Sequence, residues 1–256
     1  MKKKRYIQVM CLLGIIYCIL STTLYAKKRS TKEKPGAAIF VMATKDSLLT
    51  CTKSYKYNTE VISLDMKVPQ ISGLKNHYFQ KQLNHKLLTE AKARKKSAIS
   101  EAEQYNKEMI KDRLPPLKFE YLESFTVIPS PPRYYTLELF KYQYSGGAHG
   151  ISQLNYITVD LENNKIIQLK DLFKPNVNYT SIINKAVNAQ LIERQAEGEV
   201  FFIGPGGFNG IKENQNFYID SNGNIIIVFN VYEIAPYAAG VVEVPLSKTD
   251  LSPYMK

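Results

Sequence analysis

Two stretches of this chain have the same build: Phe140–Gly150, FKYQYSGGAHG, and Tyr232–Gly240, YEIAPYAAG. In each, alternating and aromatic-rich residues typical of a β-strand stop at glycines or at a proline, which end strands and allow turns. Each interruption also carries side chains that can contact a ligand. We predict that the two strand ends meet and line one cleft.

The candidate binding residues lie at these two interruptions. His149 stands beside three glycines, where a ligand can reach its imidazole; alternatively, it closes the turn by bonding backbone carbonyls. Tyr232 and Tyr237 offer aromatic area with a polar tip, either as a lip for a carbohydrate or protein partner or as part of the core. The full predicted set is Tyr144, Gly146, Gly147, His149, Tyr232, Glu233, Pro236 and Tyr237.

The sequence contains no complete catalytic constellation, and it favours a non-catalytic protein with no cofactor and no metal site. Glu233 is able to act as an acid or base, but a single carboxylate at a strand end more commonly bonds a neighbouring loop. His77 and His85 lie eight residues apart on a predicted helix, which is too far for one shared metal ion. Gly204–Gly210 lacks the lysine of a phosphate-binding loop and is predicted to be a flexible connection.

The positive charge is concentrated near the N-terminus. The formal net charge of +11 would by itself suggest an acidic or nucleic-acid partner. However, nine of the 34 Lys and Arg residues precede Pro35, against one of the 23 acidic residues. The rest of the chain then carries 25 positive and 22 negative charges, a net of +3. We therefore predict no nucleic-acid partner.

The N-terminal residues have the organisation of an export signal. Met1–Arg5 is basic, Ile7–Leu20 is an almost unbroken apolar run, and Ser21–Ala26 is short and more polar. Ala26 suits the residue before a cleavage site, while the apolar length also approaches the ~20 residues that span a bilayer. Both outcomes stay open: a secreted protein, or one anchored to the membrane by an uncleaved segment. In either case the basic flank places residue 27 onward outside the cytoplasm.

The remaining sequence predicts an α+β fold of two modules, each with antiparallel strands packed against a helix. A helical period predicts a long helix from about Leu74 to Arg113, ended by two prolines, whose charged middle projects or bends, and a second helix at about Tyr179–Gln195. The predicted organisation is a signal peptide or membrane anchor at 1–26, a linker at 27–46, an N-terminal module with the long helix at 47–144, and a C-terminal module at 145–256.

Several segments of the chain resemble a bacterial family of paired extracytoplasmic domains of unknown function. Such domains occur in the lysozyme-sensing anti-sigma factor of Gram-positive bacteria and ahead of the catalytic domain of a peptidoglycan deacetylase. The resemblance covers roughly residue 47 to the C-terminus and implies an outward-facing, two-module α+β body that binds something at the cell envelope. The segments that carry it are Pro69–Leu74 with Gln82–Asn84, Tyr144–His149, Leu169–Phe173 and Tyr232–Gly240.

Two departures from that family limit which function the resemblance implies. Only Met1–Tyr6 precede the apolar run, whereas an anti-sigma factor needs a cytoplasmic domain to hold its sigma factor. The three histidines, without the aspartates and paired histidines of the deacetylase zinc site, argue against deacetylation. We expect an extracytoplasmic binding module that recognises a cell-wall glycan or a protein such as a muramidase. The alternative is a cell-envelope hydrolase that uses His149 and Glu233.

Overall fold

The computed structural model describes residues 40–45 and 48–256, which belong to one compact unit. The predicted signal or anchor segment and most of the predicted linker lie outside these residues. Within the described part, no helix is both long enough and apolar enough to cross a bilayer. The elements are β1 Phe40–Lys45, β2 Leu48–Asn58, β3 Ile62–Ser72, α1 His77–Lys111, β4 Phe119–Ile128, β5 Tyr134–Tyr144, β6 Ile151–Asp160, β7 Lys165–Ile166, α2 Tyr179–Ala196, β8 Phe217–Ile219, β9 Ile225–Phe229, β10 Val242–Leu246 and α3 Lys248–Leu251.

The first sheet contains seven strands, β1 to β7, in sequence order. Neighbouring strands are antiparallel except β3 and β4, which are parallel because α1 returns the chain to the same end of the sheet. The sheet curls, since the Thr50 hydroxyl of β2 hydrogen-bonds the Tyr135 hydroxyl of β5 although β3 and β4 lie between them. The predicted α+β class is confirmed.

Helix α1 packs one apolar face against this sheet. Its 35 residues span about 52 Å at 1.5 Å per residue. Asn76 caps the helix, because its side chain accepts a hydrogen bond from the Phe79 backbone N–H at 3.0 Å. The face that packs on the sheet core is formed by Leu83, Leu87, Ala91, Ala98 and Ala102.

The charged middle of α1 contacts the sheet, so the prediction that it projects is wrong for two of its residues. Arg94 donates to both carboxylate oxygens of Glu123 on β4, at 2.5 and 3.0 Å. Lys95 lies over the rings of Tyr55 and Tyr57, with its Nζ 5.6 and 5.8 Å from the ring centroids. Long basic side chains therefore cover the sheet through their stems while their charged groups find partners.

The second sheet has three strands in the order β10-β9-β8 and a core of its own. Every residue of the central strand β9 is buried. Helix α2 covers this sheet, and two of its side chains donate hydrogen bonds to carbonyl groups on the outer edge of β10. Gln190 donates to the Pro245 carbonyl at 2.7 Å, and Arg194 donates to the Glu243 carbonyl at 3.0 Å. The core residues of α2 are Ile183, Val187 and Leu191.

Two asparagine side chains join the second sheet to the edge of β6. Asn230 accepts from the Leu154 N–H at 2.7 Å and donates to the Leu154 carbonyl at 3.0 Å. Asn216 donates to the same carbonyl at 2.8 Å and accepts from the Tyr156 N–H at 3.0 Å. These amides pair the strand edge as another strand would. They fix the start of β6 relative to the end of β9, the two places from which the candidate site is built.

The first sheet extends beyond residue 145. Strands β5 and β6 pair from Gln143 opposite Ile151 to Tyr134 opposite Asp160, and β7 adds to β6. The division of the chain into 47–144 and 145–256 stays a prediction.

Candidate functional site

The predicted glycine-rich segment is the loop that joins β5 to β6. Gly146 and Gly147 have φ angles of +108° and +89°, a region that favours glycine. The Tyr144 hydroxyl donates to the Gly147 carbonyl at 3.2 Å and so closes the loop on itself. The loop ends with His149, which is exposed, and with Gly150, which is buried just before β6.

The second predicted segment follows β9 as a turn and a short 3-10 helix. The Glu233 N–H donates to the Asn230 carbonyl at 3.0 Å, which closes the turn. Within this turn Tyr232 has φ +67°, a left-handed conformation that costs a non-glycine residue about 1–2 kcal/mol. Tyr232 is nevertheless 53% exposed. Pro236 then caps the 3-10 helix Tyr237–Ala239.

The structure brings the two segments together. The rings of His149 and Tyr237 stack with centroids 3.9 Å apart and planes inclined by 22°. The Tyr232 ring lies 5.5 Å from that of Tyr237, and the Tyr237 hydroxyl donates to the Gly150 carbonyl at 3.1 Å. The predicted meeting of the two strand ends is confirmed. We call His149, Tyr232 and Tyr237 the aromatic surface; its role in binding stays a prediction.

The hydrogen bonds of His149 define which ring nitrogen carries a proton. Its Nδ1 lies 3.0 Å from the Gly150 carbonyl, which can only accept, so Nδ1 is the donor. In the neutral ring Nε2 then accepts from the Tyr232 hydroxyl, 3.4 Å away. His149 therefore closes the turn through a backbone carbonyl, and its ring also remains exposed. Its contact with a ligand stays a prediction.

Glu233 is paired with a neighbouring loop, as the sequence suggested for a lone carboxylate. It is half-buried and accepts a hydrogen bond from Lys212 at 3.3 Å. In residues 48–256 no hydrogen bond connects Glu233 to His149. The same residues contain no group of three or more His, Cys, Asp or Glu side chains placed to hold a metal ion. Glu233 is therefore held by the loop that carries Lys212.

Sequence reasoning missed a second aromatic cluster, located where the two sheets meet. Tyr156 of β6 stacks on Tyr218 of β8 with centroids 4.6 Å apart, and its hydroxyl donates to Glu138 at 2.7 Å. Burial and the bond to Glu138 raise the pKa of Tyr156, while burial and nearby Glu243 raise the pKa of Tyr218 to about 12. Both phenols therefore stay protonated donors at neutral pH. No local pattern marks the pair, because it joins residues from different sheets.

Two family models match different parts of this chain. Residues 55–152 match the family model described as Deacetylase PdaC, and residues 170–249 match that described as Protein of unknown function (DUF3298). These matches confirm the resemblance stated from the sequence motifs.

This chain is similar in sequence to a curated relative and similar in fold to two solved structures. Anti-sigma-V factor RsiV of Bacillus subtilis (strain 168) is 27% identical over 186 residues, which cover 71% of this chain and 61% of the relative's length. A DUF3298 family structure from Bacteroides fragilis NCTC 9343 has a TM-score of 0.61 at 19% identity, covering 88% of this chain and 96% of that chain. A DUF3298 family structure from Pseudomonas aeruginosa PAO1 has a TM-score of 0.55 at 15% identity, and the match covers 82% of this chain and 94% of that chain. The similarities indicate a regulatory or binding module.

Proposed function

We propose that this chain is an extracytoplasmic, non-catalytic binding module of the cell envelope and that the aromatic surface is its recognition site. The ligand is a protein such as a muramidase, or a cell-wall glycan. The observation that carries the proposal is the stack of His149 on Tyr237 beside an exposed Tyr232 in a left-handed conformation.

The left-handed conformation of Tyr232 carries a backbone cost of about 1–2 kcal/mol. A strained backbone persists where the surrounding structure imposes it, and such positions cluster at functional sites. An exposed tyrosine ring contributes little to the core, yet in an interface it supplies area at low entropic cost and a polar tip. The strain and the exposure of the same side chain thus support a surface that is completed by a ligand.

The location outside the cytoplasm is supported by two independent features. The basic and apolar organisation of residues 1–26 is that of an export signal or anchor. The similarity to an anti-sigma factor supports a regulatory protein in which the described domains receive a signal.

The decisive experiment compares an aromatic-surface variant with a matched tyrosine elsewhere. The exported part of the chain, residues 27–256, is immobilised and titrated with a muramidase and, separately, with solubilised peptidoglycan fragments. Tyr232→Ala is expected to weaken binding of the true ligand by at least about tenfold, the usual range for an aromatic anchor. Tyr78→Ala removes a tyrosine that is 72% exposed on α1 and should leave the binding affinity unchanged.

The two ligands and the rival function give different results. Saturable binding of only one titrant identifies the ligand, whereas equal binding by the Tyr232→Ala and Tyr78→Ala variants would remove the aromatic surface from consideration. Release of soluble fragments from peptidoglycan, abolished by His149→Ala and by Glu233→Gln, would establish the hydrolase instead.

A further inference from the structure

A groove of about 700 Å³ lies between the first turns of α2 and the loop 203–210. Thr180, Asn184 and Asn188 follow one another at intervals of four residues, so they form a row along one face of the helix. Asn178 at the helix cap and Asn209 on the loop continue this polar lining. The groove is shallow and open to solvent, so a ligand would lie along it with one side exposed.

The chain directly after this loop, which was predicted from its glycines to be a flexible connection, is hydrogen-bonded to the helix. Asn184 accepts a hydrogen bond from the Ile211 N–H at 2.8 Å. At Gly210, with φ +110°, a Cβ would lie 2.8 Å from the Asn184 amide nitrogen, so only glycine allows this approach without displacement. One end of the loop wall is therefore fixed against the helix wall at Asn184.

The lining carries hydrogen-bonding groups and almost no charge. Lys185 is the one charged side chain among the lining residues of this groove, which lies wholly within the described part of the chain. No hydrogen bond to another described residue uses the side chains of Thr180, Asn188 or Asn209. The apolar part of the lining is the buried Phe208 and Ile203, which is 39% exposed.

We infer that this groove is a binding site for a neutral oligosaccharide. Amide and hydroxyl side chains both donate and accept, as sugar hydroxyl and acetamido groups do, and the apolar residues face the C–H surface of a sugar ring. An apolar ligand would leave the amides without partners, and a strongly charged one would meet only Lys185. The site is separate from the aromatic surface, so the inference goes beyond the proposed function.

The test titrates the full-length chain in detergent micelles with three defined trisaccharides. N,N′,N″-triacetylchitotriose and maltotriose are neutral, and trigalacturonate is the anionic counterpart. We expect saturable binding of at least one neutral probe, measured by calorimetry. The double variant Asn188→Ala/Asn209→Ala should weaken it about tenfold, because it removes two hydrogen-bonding amides. Asn222→Ala, an exposed turn asparagine of the second sheet, is the control.

Each outcome decides the question. The inference is overturned by the absence of saturation for both neutral probes up to roughly 10 mM, the weak limit for a specific site. It is also overturned by equal or tighter binding of trigalacturonate, or by a double variant that binds like Asn222→Ala while keeping the wild-type melting temperature. Tyr232→Ala should leave trisaccharide binding unchanged, which separates failure here from failure of the proposed function.

Discussion

Tyr232 has a backbone conformation that its side chain disfavours. Its φ of +67° lies in the left-handed region, where a Cβ crowds the following carbonyl oxygen. The turn closed by Asn230 and Glu233 imposes this angle. The sequence does not predict this angle, because left-handed positions are usually occupied by glycine or asparagine and not by tyrosine.

The strain at Tyr232 predicts an unusual order of stability for two variants. Tyr232→Gly and Tyr232→Ala both remove the ring, but only glycine also relieves the left-handed strain. We expect the glycine variant to have a free energy of unfolding about 1 kcal/mol higher than that of the alanine variant, the reverse of the usual preference. Chemical denaturation of both variants measures this difference. An alanine variant at least as stable as the glycine variant would show that the turn relaxes when the ring is removed.

The ionisation of Asp160 makes the free energy of unfolding depend on pH. Burial would raise the pKa of this carboxyl, but hydrogen bonds from Arg133 and Asn163 outweigh burial and lower the pKa to about 2. A carboxyl with a lowered folded-state pKa stabilises the protein above its unfolded value of about 3.9 and loses that contribution as the pH falls towards about 2. The contribution is about 1 kcal/mol, reduced from the full shift because Arg133 is 43% exposed.

Asp160→Asn keeps an acceptor oxygen for the turn and removes the charge. We therefore expect the stability difference between wild type and Asp160→Asn to be constant above pH 5 and to shrink by about 1 kcal/mol between pH 4 and pH 2. Urea unfolding at a series of pH values measures this difference, and carboxyls common to both proteins cancel. A difference that stays constant down to pH 2 would mean that the ion pair with Arg133 has no net effect.

The candidate site was predictable in part. The alternating pattern of two aromatic strands stops at glycines in one case and at a proline in the other. These interruptions identified the neighbouring His149 and Tyr237 as candidates. The two stacked rings are 88 positions apart in the chain, and a single sequence does not show which distant residues come into contact. The groove beside α2 was missed for a different reason: asparagines on a helix face look like ordinary solvated residues until the opposing loop is in place.

Among the elements, α1 shows what periodicity predicts and what it does not. The predicted bounds of about Leu74 and Arg113 compare with His77 and Lys111 in the structure. Periodicity locates the buried face, but it does not identify the distant partners that bind polar residues. Asn106 is buried on this helix, where a polar residue breaks the apolar pattern.

Asn106 connects the end of α1 to the chain that follows. Its side chain donates to the Leu117 carbonyl at 2.8 Å and accepts from the Leu117 N–H at 2.7 Å. Asn106→Leu leaves both backbone groups without these partners, so we expect a loss of about 2–3 kcal/mol in the free energy of unfolding. Gln104→Leu, on the exposed side of the same helix, should cost less than about 0.5 kcal/mol. Equal effects of the two changes would show that water replaces the amide at Leu117.

At the scale of the whole molecule, two sheets with separate cores share one junction. Each core follows from apolar periodicity, and the α+β class was predictable for that reason. The junction was not predictable, because it consists of asparagine side chains that bond the backbone of β6 and leave no hydrophobic pattern. Asn216 and Asn230 hold His149, just before β6, in position against Tyr237, which follows β9.

We predict that binding at the aromatic surface depends on Asn230, which lies at the junction and outside that surface. Asn230→Asp keeps an oxygen for the Leu154 N–H but replaces the donor to the Leu154 carbonyl by a repelling oxygen. We expect a loss of about 2 kcal/mol in the free energy of unfolding and faster amide hydrogen exchange at Leu154. We also expect weaker binding of the envelope ligand, because the two segments of the aromatic surface are no longer held in register. Asn222→Asp introduces the same charge in an exposed turn and should leave all three measurements unchanged. If Asn230→Asp lowers stability but binding remains at the wild-type level, the aromatic surface is held by the ring stack of His149 and Tyr237 alone.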